Sequence, residues 1–321
     1  MSYSRRSIKR LAGHLLFLVT SLSLLSACES SFASDNRVST PIPDTPSASV
    51  PNFDHIVIIT FENKDYNKVI GNLFMPNYNW YAWNNTLLTQ FYAVTHPSLP
   101  NYLAMIGGDT FNISTDCYGC FVDARSLPDL IEASGRTWKT YQEGMQVPCG
   151  LGSQDESDYL QKHNPFVYFD PIRLDKARCQ EHVVSFKQLQ SDIDADTLPN
   201  FIFITPDMCH IAHDCHLYKA DIWLGRLMKR LVPALEKDGS KYLVVLTWDE
   251  GQDNSSCCGL PQKAGGRIPV VLISPLVKSH YTDATPYTHY SLLKTISKAW
   301  GLPYLGHAAN RSQPLILAPW K

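Results

Sequence analysis

No GxSxG elbow, HExxH pair or GxxxxGKS/T loop occurs in the chain, which weakens any reading as a serine acyl hydrolase, a zincin or a P-loop nucleotide enzyme. Internal repeats are absent, and no second linker interrupts the chain beyond about residue 52. An excess of basic charge is lacking too. The formal net charge is −2, and it becomes more negative once Arg5, Arg6, Lys9 and Arg10 at the N-terminus are set aside. That balance offers no electrostatic footprint for nucleic acid, so nucleic acid is not expected as a partner. The apolar run from Leu11 to Leu25 falls short of the roughly 20 residues that a membrane-spanning helix needs.

That run fits an export signal instead. It comes after the four basic residues and ends in Leu25-Ser26-Ala27-Cys28, the pattern of a lipoprotein cleavage box that would leave Cys28 diacylated and membrane-anchored. The alternative is an ordinary secretory signal with an incidental cysteine. Ser4-Arg5-Arg6-Ser7-Ile8-Lys9 also resembles a twin-arginine export signal. From Glu29 to Asn52 the chain is rich in Ser, Pro, Thr and Asp, as in Thr40-Pro41-Ile42-Pro43-Asp44-Thr45-Pro46, and reads as a flexible tether. The expected organisation is therefore a signal over 1–28, a linker over 29–52 and one large α/β domain over 53–321.

With Cys28 set aside, Cys117, Cys120, Cys149, Cys179, Cys209, Cys215, Cys257 and Cys258 remain. An even number in an exported chain points to disulfides, with the pairing open. Cys117-Tyr118-Gly119-Cys120 could be a redox CxxC, but its loop-like, Gly-containing setting favours a structural bridge. The run Cys209 to His216 could be a zinc knot. In an oxidising compartment its cysteines are expected to pair with each other or with neighbours, leaving the histidines for other work.

Four apolar runs are too continuous for half-exposed strands: His55 to Phe61, Asn200 to Thr205, Tyr242 to Trp248 and Ile268 to Ile273. Helical period appears at Leu224, Leu227, Met228, Leu231 and Leu235, and again at Leu292, Leu293, Ile296 and Trp300, with Gly301 placed to end that helix. Strands alternating with helices imply a mainly parallel sheet covered on both faces.

The polar residues directly after these strands carry the chemistry. Glu62-Asn63 stands after the first, Asp207 after the second and Asp249-Glu250 after the third, and open α/β sheets place their sites along that edge. Any one such polar pair could merely cap a turn, but three on one edge form an oxygen-rich cluster suited to a hard divalent cation, or to zinc with mixed ligands. A nucleophile is available in Thr95-His96-Pro97-Ser98-Leu99-Pro100-Asn101-Tyr102, after the strand-like Gln90 to Val94. Ser98 sits where a helix should begin, Pro100 fits its first turn and Gly107-Gly108 end it. Free N–H groups and the positive dipole end there favour a phosphate and a developing alkoxide. An ordinary serine N-cap reads equally well from these residues alone.

Taken in order, Glu62-Asn63-Lys64-Asp65-Tyr66, His96 to Tyr102, Thr205-Pro206-Asp207-Met208-Cys209, His213-Asp214, Thr247-Trp248-Asp249-Glu250-Gly251, Ile273-Ser274-Pro275 and His289-Tyr290-Ser291-Leu292-Leu293 resemble the phosphoesterase family. That family contains bacterial acid phosphatases and phosphocholine-preferring phospholipases C. The resemblance implies an alkaline-phosphatase-like three-layer α/β/α sandwich, with Ser98 in the place of the threonine nucleophile of the superfamily's phosphodiesterase branch. It implies Glu62, Asn63, Asp249 and Glu250 as ligands of one divalent metal ion, completed by the Ser98 oxygen, and a phosphoserine intermediate. It makes His213 and His289 phosphate-side histidines that donate to phosphoryl oxygens or protonate the leaving group. Asn101, Asp207 and Asp214 fall in the same motifs on the substrate side, and Tyr141 and Glu143 resemble a pocket-wall segment.

One departure stands out, since relatives commonly carry Asp where this chain has Ile211. A second metal site is therefore expected to be incomplete unless Asp207 or Asp214 substitutes, and His210 and His216, with no matched role, are expected on the rim. Oxygen ligands do not choose among Zn, Mn, Mg, Ca and Fe. The resemblance and the domain size favour a phosphomonoesterase acting on small extracytoplasmic esters, with a phosphodiesterase or phospholipase C second. A non-catalytic surface lipoprotein is the third reading, and it predicts losses among Ser98, Glu62, Asn63, Asp249 and Glu250, all of which are present.

Overall fold

The computed structural model describes residues 49–152 and 158–321. The expected signal, the Cys28 lipidation site and the tether up to residue 48 lie outside the described residues. Among those described, nine strands form one sheet: β1 (His55–Phe61), β2 (Thr86–Tyr92), β3 (Trp138–Gln142), β4 (Val183–Ser185), β5 (Phe201–Thr205), β6 (Tyr242–Trp248), β7 (Arg267–Ile273), β8 (Tyr281–Asp283) and β9 (Tyr287–Thr288). Their spatial order is β4, β3, β5, β1, β6, β7, β2, β8, with β9 beside β2.

All four apolar runs form strands, and their burial explains why they do not alternate. Every residue of β5 and β6 is buried, as are six of the seven in β1 and in β7, the pattern of a sheet covered on both faces. β1 pairs in parallel with β5 on one side and β6 on the other. The sheet is mainly parallel, as expected, but β7 runs antiparallel to both β6 and β2. The strand expected over Gln90 to Val94 is β2, which begins at Thr86 because Leu87 and Leu88 are buried and pair with β7.

Four helices matter for the site: α1 (Pro76–Asn84), α2 (Ser98–Gly107), α3 (Leu217–Leu235) and α4 (His289–Ala299). α1 packs on α3 and α2 on α4, giving the two helical layers of the sandwich. The five apolar residues expected to face inward on α3 are all buried. Thr288 caps α4, its side chain accepting from the Ser291 N–H, and Gly301 comes after the helix at φ 66°. No helix among the described residues is long and apolar enough to cross a membrane.

The eight cysteines pair as Cys117–Cys120, Cys149–Cys179, Cys209–Cys215 and Cys257–Cys258. The Cys209–Cys215 bridge rules out a zinc knot built on those two thiols and closes the loop that carries His210 and His213.

Candidate active site

α2 starts at Ser98 because its sequence supplies every boundary. Pro97 enters in extended backbone, Pro100 tolerates the first turn, where no N–H is needed, and Gly108 ends the helix in the left-handed region at φ 75°. All ten residues of α2 are buried, so Ser98 is held at the head of a rigid rod with 1% of its surface exposed. Its hydroxyl donates to Glu250 Oε1 at 3.3 Å. The Leu99 N–H in the same turn donates to Asp116 Oδ1 at 3.0 Å.

Asn101, expected to contact substrate, does something else. Its Oδ1 accepts from the Val94 and Thr95 N–H groups at 2.9 and 3.1 Å, and its Nδ2 donates to the Thr95 and Pro97 carbonyls at 2.7 and 3.1 Å. Two donors and two acceptor sites are all an amide has. Asn101 is a wholly buried clamp on the segment leading into Ser98, with nothing left for a substrate.

The ends of β1 and β6 are stitched together beside Ser98. The Asp249 N–H donates to the Phe61 carbonyl at 2.9 Å and the Asn63 N–H to Asp249 Oδ1 at 3.3 Å. Asp65 Oδ1 accepts from the Gln252 and Asp253 N–H groups at 2.6 and 3.0 Å. A Cβ on Gly251 would come within 2.6 Å of that same oxygen, so any larger residue would displace Asp65 from its two N–H partners. Asn63 adopts φ 54°, a left-handed geometry that Asn tolerates better than most residues. Its amide can face Asp249 in two ways: turned one way its nitrogen donates to both carboxylate oxygens at 3.0 and 3.2 Å, and turned the other its oxygen faces them, as ligation of a shared cation would require.

This stitching gathers Glu62, Asp249 and Glu250, exposed by 0, 0 and 5%. Burial pushes Asp249 well above the ordinary carboxyl range, and the charges of Glu62 and Glu250 push it the same way. Burial also raises Glu250, against the pull of its partner His96. For Glu62, burial is outweighed by the charges of His163 and Lys162, which hold it below its usual value. Tyr102 donates to Glu62 Oε1 at 3.0 Å, and His163 Nε2 lies 2.6 Å from that oxygen, though poorly aligned for a hydrogen bond. Glu62 Oε2 is buried with no partner. A buried orphan oxygen among mutually repelling carboxylates is what a cation site looks like to the protein alone. The donor set is all oxygen and suits a hard divalent ion.

His213, at the surface of the same edge, is close enough for its charge to lower Glu62. Its Nδ1 is oriented by Asp214 Oδ1 at 2.6 Å. Asp214 thus holds the His213 ring through one of its two oxygens. His289 is wholly buried, and its Nε2 donates to the Asp249 carbonyl at 2.7 Å. Burial pushes it down to about 4, so it is neutral at ordinary pH. Its one N–H already braces the backbone behind Asp249, which corrects the expectation that it protonates a leaving group.

Asp207, expected on the substrate side, stands apart with Glu143 and His210. Asp207 Oδ1 accepts from the Cys209 and His210 N–H groups. His210 Nδ1 lies 3.0 Å from Glu143 Oε2 and 3.1 Å from Asp207 Oδ2. Among the described residues, this is the one group of three or more His, Cys, Asp or Glu side chains whose ligand atoms all lie within 4.8 Å of one another. It is internally bonded, with Trp223 Nε1 completing Glu143 at 3.1 Å. His210 therefore has a partner set that its sequence position did not announce. Tyr141 is buried and donates to Asp192 at 2.6 Å, while Glu143 lines a surface hollow with His210 and Trp223.

Three further residues belong to the site. His96 stands in the Ser98 motif itself, and its place two residues before Ser98 was the available signal. Tyr102 lies one turn beyond Ser98 on α2, a spacing that puts both on one side of the helix. His163 has no motif around it and reaches Glu62 only through the fold.

The phosphoesterase family model matches residues 74–303. The chain belongs to the phosphoesterase family. The match includes Ser98, His213, Asp249, Glu250 and His289, whereas Glu62 and Asn63 lie just ahead of it. An acid phosphatase of Aspergillus fumigatus is 34% identical over 88% of this chain and 62% of its own length, so the chain spans under two thirds of that relative. A phosphatidylinositol-3-phosphatase of Mycobacterium tuberculosis is 28% identical over 95% of this chain and 96% of its own. A protein of the alkaline phosphatase superfamily from Vibrio parahaemolyticus shares the fold, with TM-score 0.55 and 12% identity over 82% of this chain and 72% of that one. Ile211, the family departure, is buried, and its carbonyl accepts from the Glu62 N–H at 2.8 Å. An acid at this position would put a further carboxyl in the buried surroundings of Glu62.

Proposed function

We propose that this chain is a phosphoric ester hydrolase that cleaves phosphate monoesters through a phosphoserine on Ser98, with one divalent cation held by Glu62, Asn63, Asp249 and Glu250. The observation that carries it is the Ser98 hydroxyl at the head of α2, bonded to one of three buried carboxylates whose excess charge and orphan oxygen ask for a cation. A bound cation would neutralise these carboxylates and stabilise both the alkoxide of Ser98 and the phosphoryl oxygens.

The chain's own groups do the rest. Glu250, held by His96, orients the Ser98 hydroxyl for in-line attack on phosphorus. It takes the hydroxyl proton as the Ser98–phosphorus bond forms and the bond to the leaving oxygen breaks, and the proton returns to Ser98 when the phosphoserine is hydrolysed. The N-terminus of α2 favours the phosphate's charge. His213, set by Asp214, donates a proton to the departing oxygen. Water then breaks the Ser98–phosphorus bond, releasing inorganic phosphate. Phosphatases among the relatives support the monoester reading. Export and lipid anchoring at Cys28 belong to the same proposal and would hold the domain against a membrane from outside the cytoplasm.

The test is phosphate release from p-nitrophenyl phosphate beside hydrolysis of p-nitrophenylphosphorylcholine, with and without chelator, for wild type and Ser98→Ala. Monoester cleavage abolished by both treatments upholds the reading. Preference for the choline diester replaces it with a phospholipase C activity, and full activity in Ser98→Ala removes the serine from the mechanism. For the anchor, Cys28→Ala should move the protein from the membrane to the soluble fraction.

A further inference from the structure

The solvent face of α3 is unlike the rest of this acidic chain. It exposes Tyr218, Lys219, Ile222, Arg226, Lys229 and Arg230 and no carboxylate. The helix's one acidic residue, Asp221, is buried, with Asn77 Nδ2 donating to it at 2.7 Å. None of the four cations has a carboxylate within 4.0 Å among the described residues, in a chain whose net charge is −2.

Apolar side chains adjoin these cations. The turn ahead of α1 exposes Leu73 by 92% and Phe74 by 64%, and α1 exposes Trp80 and Trp83 by 55 and 59%. Phe74 and Tyr218 line one hollow of about 330 Å³. Tyr218 and Ile222 then line a second, of about 380 Å³, with Lys219, Arg226 and Arg230. Tyr218 belongs to both, so the apolar and basic surfaces are continuous. Arg230 donates to Gln190 Oε1 at 2.6 Å and Lys219 lies over the Tyr218 ring, so neither is neutralised by a carboxylate. Single exposed apolar residues are ordinary, but apolar hollows shared with cations that no carboxylate neutralises mark an interaction surface. Its location matters too. α3 begins directly after the loop that carries His213, and Leu73 and Phe74 come after the segment leaving β1, so the patch adjoins the edge of the sheet that bears Ser98.

We infer that this face seats on the headgroup layer of an anionic phospholipid bilayer. Leu73, Phe74 and the two tryptophans occupy the boundary between headgroups and acyl chains, while Lys219, Arg226 and Arg230 meet lipid phosphates. Tryptophan and tyrosine favour that boundary, and a cation-bearing amphipathic helix is held there by apolar burial together with attraction to anionic lipid. The inference does not depend on the enzymatic reading, because its readout is binding.

The experiment is vesicle sedimentation with the unit Pro46–Lys321, which contains the whole core. Binding is expected to phosphatidylcholine vesicles containing phosphatidylglycerol and to be far weaker with phosphatidylcholine alone. Lys219→Glu/Arg226→Glu/Arg230→Glu should lower the partition coefficient by about a hundredfold or more. Leu73→Ser/Phe74→Ser should lower it by about tenfold or more. Thermal melts matching wild type show that either loss is not unfolding, and blue-shifted tryptophan emission on vesicles, lost in Trp80→Phe/Trp83→Phe, reports the inserted face. Equal binding to both vesicle types, no binding at low salt, or unchanged binding by the variants overturns the inference. So does a dimer that Phe74→Ser dissolves without any vesicle binding, since a second copy would then be what covers the face.

Discussion

Two carboxylate clusters stand on the same edge of the sheet in opposite electrostatic states. At the ends of β1 and β6, Glu62, Asp249 and Glu250 are buried, repel one another and leave Glu62 Oε2 without a partner. At the ends of β3 and β5, Glu143 and Asp207 are 19 and 18% exposed and share the His210 imidazole between them. The second cluster is the more compact, yet its lone pairs are answered within the protein. The first is looser and unbalanced. On the function proposed above, uncompensated buried charge and not close packing of ligand-type atoms marks the cation site.

Breaking the unbalanced cluster should have the largest effects. Ser98→Ala is expected to reduce turnover by about a thousandfold or more, read as phosphate release. Asp249→Asn should also abolish most activity, but in chelator its melting temperature should rise by about 2 °C or more at neutral pH. Ionised Asp249 is disfavoured in the folded state, so asparagine removes a cost that the folded chain carries without a cation. A melting temperature that falls in chelator would show that the carboxylate is stabilising by itself and that no cation is called for. Asn101→Ala is next. It strands the Val94 and Thr95 N–H groups and the Thr95 carbonyl, so a loss of about 2–4 kcal/mol is expected by denaturant titration, along with slower turnover, because the segment holding Ser98 loosens. Unchanged stability would restore Asn101 to a substrate role.

Much of this was legible in the sequence because the signals were local. Continuous apolar runs named four strands, and the polar residues immediately after three of them named the edge of the site. Ser98 with Pro100 in its first turn, and Gly107-Gly108, marked the ends of the helix. Partnerships made through space were not legible. Nothing near His163 says that it will meet Glu62, and nothing in the His289 motif says that its N–H is spent on the Asp249 carbonyl. Asn101 shows the same limit from the other side, for a motif position marks a residue as needed and only its four hydrogen bonds show for what. The cysteine count foretold bridges, while their pairing required the fold.

The smallest effect probes the balanced cluster. Asp207 and then Glu143 push His210 up to about 9, against an ordinary 6.5. A raised value means that the folded chain holds this proton more tightly than the unfolded chain does. The resulting stabilisation is fully present below pH 6.5 and is lost as pH climbs through about 9. His210 is 33% exposed, so solvent screening keeps the contribution to about 1 kcal/mol or less. Thermal melts of wild type and His210→Asn across this range should show a wild-type advantage on the acid side that shrinks through about pH 9. A difference that stays constant would mean that the imidazole is neutral throughout, leaving two carboxylates unanswered. The β3–β5 cluster would then be the equal of the β1–β6 cluster as a cation site, and the contrast between them would fail.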